Sequence, residues 1–166
     1  MRRTFARFRP ILQEREVMGM LRLLDLLPIR PEDLARYKLH LATGIKDNRE
    51  PLCELAKSSF QDWQEWQSKK NFERDYILTL IYYNRNHEWV FGGIYGRIGV
   101  KRVKGWPGYP YKYDTDLLDT GKELIGRLVV SFRRPGRQSY LYLEKWADQI
   151  EVVELSRTPL TIAFPG

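Results

Sequence analysis

Between positions 101 and 113 the sequence interleaves planar aromatic side chains with cations. The aromatic members are Trp106, Tyr109, Tyr111 and Tyr113, and the cations are Lys101, Arg102, Lys104 and Lys112. Aromatic rings stack on bases while cations hold phosphates, so this mixture suits an extruded or single-stranded nucleotide. The same rings also suit a small hydrophobic core, which is the usual location of Trp and Tyr. Both interpretations stay open for Trp106 and Tyr109, which lie among Gly and Pro residues.

A second basic cluster surrounds the dipeptide Pro135–Gly136. It contains Arg133, Arg134 and Arg137. Guanidinium groups bind phosphate oxygens and guanine edges through paired hydrogen bonds. The sequence therefore predicts a phosphate-contacting turn here, with a solvated basic hairpin as the alternative.

The positive charge of the chain is concentrated in one region. The 166 residues include 28 Lys and Arg against 21 Asp and Glu, which gives a formal net charge of +7. Ten of the cations but only four of the acidic residues lie between Ile94 and Arg137. Each neutralised phosphate releases condensed counterions, so a clustered positive charge favours a polyanionic partner.

The sequence contains no recognisable catalytic or metal-binding pattern. The borderline metal ligands share no ligand spacing; they are His40, His87 and Cys53. Asp114, Asp116 and Asp119 lie close together in the sequence. The Gly and the terminal Glu that a calcium-binding loop requires are not found with them. Neither Cys53 nor Ser139 has a base that the sequence places beside it. We therefore predict no catalytic residue, no metal and no cofactor, and no enzymatic activity for this chain alone.

Composition also bounds the cellular location. Cys53 is the sole cysteine, so no intramolecular disulfide can form and nothing indicates an oxidising compartment. No apolar run approaches the length of a membrane span. We expect a cytoplasmic protein without a membrane partner.

These residues must be positioned by elements that change character along the chain. An apolar helical stripe covers 11–27, an alternating segment at 37–41 is typical of an edge strand, and a helix in two pieces covers 50–67. Strands are then predicted at 75–83, 88–103, 124–133 and 151–155, with turns at 84–87 and 134–137, an irregular aromatic loop at 105–113 and a short helix at 139–148. Glycines in the second of these strands predict bends or bulges. The order predicts an α+β fold with a small curled β-sheet or barrel and flanking helices.

Several segments carry a resemblance to a known family. They are 60–67 (FQDWQEWQ), 75–77 (DYI), 91–95 (FGGIY), 111–117 (YKYDTDL) and 124–130 (LIGRLVV) followed by 137–140 (RQSY). In this order they resemble the N-terminal domain found upstream of GIY-YIG nuclease modules in bacterial restriction-like proteins. More distantly, the pattern is similar to PUA-like folds, the group that contains EVE, YTH and SRA domains.

The resemblance implies a specific function. It predicts an N-terminal arm and helix over 1–27 and a PUA-like DNA-binding domain over 28–166, which reads one flipped, modified base of duplex DNA in an aromatic pocket. The pocket residues are then Trp63, Tyr95, Trp106, Tyr111, Tyr113 and Phe132. The residues that contact the DNA backbone are then Lys101, Arg102, Lys104, Arg133, Arg134 and Arg137. Cleavage belongs, on this hypothesis, to a nuclease domain in cis or in trans within a modification-dependent restriction or anti-phage system.

Two pocket assignments have an alternative in the residues themselves. Burial statistics alone favour a core position for Tyr95. Trp63 and Trp66 are three residues apart and are expected to share a helix face, with at least one in the core. The resemblance favours Trp63 as the exposed member.

Three other functions are compatible with the sequence. An RNA-binding PUA-like accessory domain would prefer structured RNA over modified duplex DNA in competition. A small metal-dependent nuclease would cut DNA when magnesium or manganese is added. An interaction module for an acidic protein would bind its partner regardless of nucleic acid.

Overall fold

A computed structural model describes residues 21–70 and 72–160 of the chain. The N-terminal basic arm and most of the predicted helix over 11–27 lie outside the described residues. The segment 161–166 lies outside them as well.

The described residues form short helices around a mixed β-sheet. The α-helices are α1 (Leu23–Leu26), α2 (Pro51–Ala56), α3 (Phe60–Glu65) and α4 (Leu143–Trp146), and the 3₁₀ helices are Pro31–Arg36, Lys122–Leu124 and Ala147–Gln149. The strands are β1 (Tyr37–Ala42), β2 (Trp66–Gln67), β3 (Tyr76–Asn84), β4 (Glu88–Arg102), β5 (Tyr111–Leu117), β6 (Leu128–Ser131), β7 (Tyr140–Tyr142) and β8 (Glu151–Leu155). The predicted α+β class with a small curled sheet is therefore confirmed.

Six strands follow one another across the sheet in the order β2-β5-β4-β3-β1-β7. β6 pairs with the first residues of β4 and with β8, so the sheet branches there. Strands β1 and β3 are parallel, and every other pair is antiparallel. The long strand β4 pairs with β6 at Glu88–Val90 and with β5 from Tyr95 onward.

The glycines of β4 bend the strand as the sequence predicts. Thr79 pairs with Gly93 and Leu80 with Phe91, so Gly92 is the extra residue of a β-bulge. A Cβ on Gly92 would lie 2.9 Å from Cδ1 of Ile81, which leaves no room for a larger residue. A bulge increases the local twist of a strand. This bulge lies between the part of β4 that pairs with β6 and the part that pairs with β5.

The two faces of the central strands bury different cores. On β1, Leu39 and Leu41 join the principal core, whereas Ala42 belongs to a second cluster with Phe60 and Trp63 of α3. On β3, Leu78 and Leu80 face the principal core, and Ile77 and Ile81 face the second. This alternation follows from the two-residue period of a strand, and it places His40 of β1 on the side of the second cluster.

Several sequence-based boundaries differ from the structure. The segment 37–41 is not an edge strand, because β1 lies between β3 and β7. The residues 111–113, interpreted as part of a loop, begin β5, and the predicted helix at 139–148 begins with β7. The partners of β1 and β7 are remote in sequence, so local periodicity could not detect these pairings, whereas β5 pairs with the preceding strand β4.

Residues 21–27 belong to the same core as the rest of the described chain. Leu23 and Leu27 are buried in the principal core, and the backbone of Leu23 donates a hydrogen bond to the carbonyl of Ile150 at 2.9 Å. Among the described residues, no helix is both long and apolar enough to span a lipid bilayer.

Candidate functional site

A cavity of about 470 Å³ lies beside the second cluster, where α3, β1, β5 and β7 converge. Its aromatic lining consists of His40, Trp63, Phe72, Tyr109, Tyr113 and Tyr140. Exposed residues at its rim, Ser68, Lys69, Gln138 and Ser139, show that it opens to solvent. No acidic residue is among its described lining, whereas three lysines are: Lys38, Lys46 and Lys69. The site therefore suits a planar, electron-rich ligand rather than a cation.

Strand pairing creates one wall of the cavity. His40 of β1 lies directly opposite Tyr140 of β7, and their rings stack with centroids 4.4 Å apart and planes 7° apart. Trp63 of α3 lies beyond His40, with centroids 6.4 Å apart and planes 20° apart. The indole nitrogen of Trp63 donates to the backbone carbonyl of Arg49 at 2.8 Å, which fixes the ring orientation. The wall is thus a row of nearly parallel rings.

The opposite side of the cavity is held by edge contacts and hydrogen bonds. Phe72 meets Tyr113 and Tyr140 edge-on, with centroids 5.7 Å and 6.0 Å away. The Tyr113 hydroxyl donates to the backbone carbonyl of Lys69 at 3.1 Å. The side-chain amide of Gln67 donates to the Tyr140 hydroxyl at 2.8 Å. These contacts fix the positions of the aromatic rings around the cavity.

His40 is neutral inside this wall. Burial lowers its pKa to about 3, and the nearby charge of Lys46 acts in the same direction. The Gln64 side-chain oxygen can only accept hydrogen bonds, and it lies 2.7 Å from His40 Nδ1 and also accepts from the Thr79 hydroxyl. The Gln64 side chain therefore links the His40 ring to Thr79 of β3.

Lys46 brings a buried positive charge to the cavity. Its ammonium group donates to the backbone carbonyls of Trp66 at 2.6 Å and Trp63 at 3.3 Å. It also lies over the rings of Trp63 at 4.2 Å and Tyr109 at 5.3 Å. Burial lowers the pKa of Lys46 to about 7.

Both basic segments found in the sequence border this cavity. Tyr109, from the loop that follows Arg102, lines the cavity and also a neighbouring groove of about 690 Å³ that includes Arg102 and Lys104. Gln138 follows the arginine turn directly and lies at the rim. Arg134 lines a third depression, which shares Thr43 with the cavity. Both basic segments therefore have cations in or next to depressions that adjoin the same aromatic opening.

The predicted backbone-contacting residues are available for binding. These six residues are Lys101, Arg102, Lys104, Arg133, Arg134 and Arg137. None of them forms an ion pair with another described residue. Five of them are exposed and Arg134 is half-buried. By contrast, Lys112, which lies in the same basic stretch, pairs with Asp62 at 3.1 Å.

The six predicted pocket residues do not all meet in one place. Trp63 and Tyr113 line the cavity. Trp63 in α3 is 1% exposed and Trp66 in β2 is 9% exposed, so neither tryptophan is exposed to solvent. Tyr95 is buried in the second cluster, where its hydroxyl donates to the carbonyl of Gly92 at 2.8 Å. Phe132 belongs to the principal core and meets Trp146 edge-on.

The remaining two lie toward the groove. Trp106 lines the groove and stacks on Trp66 with centroids 5.1 Å apart, while the Arg49 guanidinium lies 4.5 Å from its ring centroid. Tyr111 pairs with Arg102 across β4 and β5, and the Arg102 guanidinium lies 5.8 Å from its ring centroid.

Sequence reasoning missed most of the polar lining. His40, Lys46, Gln67 and Tyr140 line the cavity but were not among the predicted site residues. One signal was available, because Lys46 follows a predicted strand and stands between Gly44 and the helix at 50–67. The pairing of β1 with β7, which brings His40 to Tyr140 across 100 positions, left no local trace.

Within the described part of the chain, no three His, Cys, Asp or Glu side chains come together as metal ligands. Asp114 and Asp116 lie on β5 with exposed side chains, and Asp116 pairs with Arg97 at 3.5 Å. Comparison with protein-family models, curated protein sequences and solved structures gives no significant match.

Proposed function

We propose that this protein binds duplex DNA through its basic loops and reads one flipped, modified base in the aromatic cavity. The observation that carries the proposal is the cavity itself, which combines a row of stacked rings with a lining that lacks carboxylates. A base is planar and carries hydrogen-bonding groups at its edges, so it can stack on a half-buried ring of this lining, such as Tyr109, while its edge meets donors.

The positions of the cations support a nucleic-acid ligand over a free small molecule. Cations near the opening come from the loop around Lys104 and from the turn around Arg137, and neither Lys104 nor Arg137 forms an ion pair with another described residue. A nucleotide flipped out of a duplex keeps its two flanking phosphates at the mouth of the pocket that holds its base. Cations near that mouth can bind those phosphates, which gives affinity without sequence information.

The proposal assigns reading to this chain and cleavage to another. Cleavage belongs to a nuclease domain in cis or in trans, as in the restriction proteins that the sequence resembles. The revised pocket consists of cavity-lining aromatic residues: His40, Trp63, Phe72, Tyr109, Tyr113 and Tyr140. Tyr95 and Phe132 are left out of it because both are enclosed in cores.

A paired substitution tests this function. Tyr109 lines the cavity and Tyr111 does not, although the two are half-buried tyrosines two positions apart. Binding should be measured for otherwise identical duplexes with methylated, hydroxymethylated, glucosylated and unmodified bases. Tyr109→Ala should weaken binding of the preferred modified duplex about 5- to 150-fold, the value of one base–aromatic stack. It should leave the unmodified duplex nearly unchanged, because an unflipped base does not reach the cavity.

Tyr111→Ala is the control and should preserve the preference for the modified duplex. A fluorescent base analogue at the target position should lose its unstacking signal only in Tyr109→Ala. Equal affinity of the wild-type protein for all duplexes would overturn base reading. Tighter binding of structured RNA than of every duplex would instead favour the RNA-binding alternative.

A further inference from the structure

Lys46 is a buried cation without a carboxylate counter-charge in the cavity that it lines. Its contacts among the described residues are two backbone carbonyls and two ring faces. An ammonium group has three N–H donors, and two of them are used by the carbonyls of Trp63 and Trp66. The remaining donor is left for a ligand.

The described carboxylates of the neighbouring elements are paired with other groups or exposed to solvent. Asp62 of α3 pairs with Arg49 and Lys112, and Glu65 of α3 accepts hydrogen bonds from Thr115. Glu73 pairs with Lys38. Asp47 follows Lys46 directly, but its side chain is exposed. The potential inside the cavity is therefore positive on the side of Lys46.

We propose that Lys46 selects bases that carry an anionic or carbonyl oxygen substituent, which accepts a hydrogen bond from its ammonium group inside the cavity. This inference rests on the proposed base-reading function and names the class of modification that is read. A carboxylate supplies the missing counter-charge in full, and a carbonyl supplies a strong acceptor. A methyl group offers neither and would leave the buried charge without a partner, which is unfavourable.

A purely structural role for Lys46 makes a different prediction. Lysine side chains stabilise helix C-termini by donating to the last carbonyls, and Trp63 and Trp66 lie at the end of α3. If that were its only role, replacing Lys46 would change the stability of the fold and weaken all duplexes alike. The ratio of affinities for differently modified duplexes would then stay constant.

The test compares duplexes that differ in one 5-substituted cytosine: carboxyl, formyl, hydroxymethyl, methyl or hydrogen. The wild-type protein should bind the carboxyl and formyl duplexes about tenfold or more tightly than the methyl duplex, the size expected of a charge-assisted hydrogen bond. Lys46→Gln removes the charge but keeps a donor, and should abolish the advantage of the carboxyl duplex. Lys69→Gln removes the same charge at the cavity rim and should keep that advantage.

The pH dependence provides a second readout, because only the protonated amine binds an anion well. The preference for the carboxyl duplex should be greatest below about pH 7 and fall as the pH rises toward about 9. In that range His40 stays neutral, and burial raises the pKa values of Tyr113 and Tyr140. The other titratable groups that face the cavity are Lys38, Lys69 and Tyr109. Lys46→Gln should remove the pH dependence of the ratio.

The outcomes separate this inference from the function on which it rests. If the wild-type protein prefers the methyl or hydroxymethyl duplex and Lys46→Gln leaves that order unchanged, base reading stands and the role of Lys46 is wrong. If no modified duplex is preferred over the unmodified one, base reading fails as well. Unchanged affinity of Lys46→Gln for the unmodified duplex shows that the variant is folded. A variant that fails this control is replaced by Lys46→Arg, which keeps the charge and should keep the preference for the carboxyl duplex.

Discussion

Residue type and local spacing predict only part of the candidate site. Tyr113 was identified from aromatic residues near cations and Trp63 from the family resemblance, and both line the cavity. His40 was considered only as a metal ligand, since a lone histidine in an alternating segment gives no indication of a stacking partner. Its role depends on burial and on Tyr140, and both of these result from strand pairing. Chemistry that depends on desolvation is therefore hidden until the fold is known.

Burial of His40 should make the protein sensitive to acid. Its folded-state pKa of about 3 lies below the unfolded value of 6.5, so between these values the unfolded chain binds an additional proton. Falling pH therefore favours unfolding, and the loss from this residue is on the order of 3 kcal/mol at about pH 4.5. Urea unfolding of the wild-type protein and His40→Gln at about pH 7 and about pH 4.5 measures it.

The variant should lose less stability than the wild-type protein between the two pH values, whatever its stability at neutral pH. His87→Gln replaces the other histidine, which is exposed, and should behave like the wild type. An identical pH dependence in His40→Gln and the wild-type protein would show that His40 is not held neutral by the fold.

At the scale of elements, the strong strands were predictable and the pairings between remote segments were not. The run 75–83 and the glycine-bearing strand after it match β3 and β4 closely, because apolar β-branched and aromatic residues dominate both. β5 was interpreted in part as a loop because its aromatic residues continue those of the loop 103–110. This loop is nevertheless ordered against the sheet: Gly105 contacts the Trp66 ring, and Trp106 stacks on it.

The contact of Gly105 with Trp66 should set the position of the loop 103–110. A Cβ on Gly105 would lie 2.5 Å from Cη2 and 3.0 Å from Cζ3 of Trp66, a separation that the buried ring cannot accommodate without a shift. Gly105→Ala should therefore displace the loop and with it Tyr109, which lines the cavity. We expect a loss of about 1–3 kcal/mol in stability, as for other overpacked sites, and a weaker preference for the modified duplex.

Gly136→Ala is the matched control in the other basic segment, because a Cβ there meets no atom within 4 Å. It should change neither stability nor preference by a measurable amount. If Gly105→Ala preserves the preference, the position of the loop 103–110 does not matter for reading.

At the scale of the whole molecule, the curled sheet brings together charges that are distant in sequence. Lys101 and Arg102 end the long strand β4, whereas the arginine turn follows β6, and both segments border the same cavity. The sequence identified each basic segment separately and predicted an α+β fold around a curled sheet. It could not bring the two segments close to one opening, because that depends on pairings between strands such as β1 and β7, which are remote in sequence.

The arrangement predicts that DNA binding weakens steeply with salt and that individual cations each contribute a share of this dependence. If about five phosphates are neutralised, log K should fall with log salt at a slope of about −4 to −5. A double variant, Lys101→Ala with Lys104→Ala, removes two cations that form no ion pair with another described residue. It should make the slope shallower by about two, equally for modified and unmodified duplexes.

Lys145→Ala removes an exposed cation from α4, which packs on the principal core, and should leave the slope unchanged. Equilibrium binding titrations at several salt concentrations measure all three slopes. A flat dependence in the wild-type protein would exclude the basic loops as a phosphate-binding surface, and an equal effect of Lys145→Ala would show that only the net charge matters.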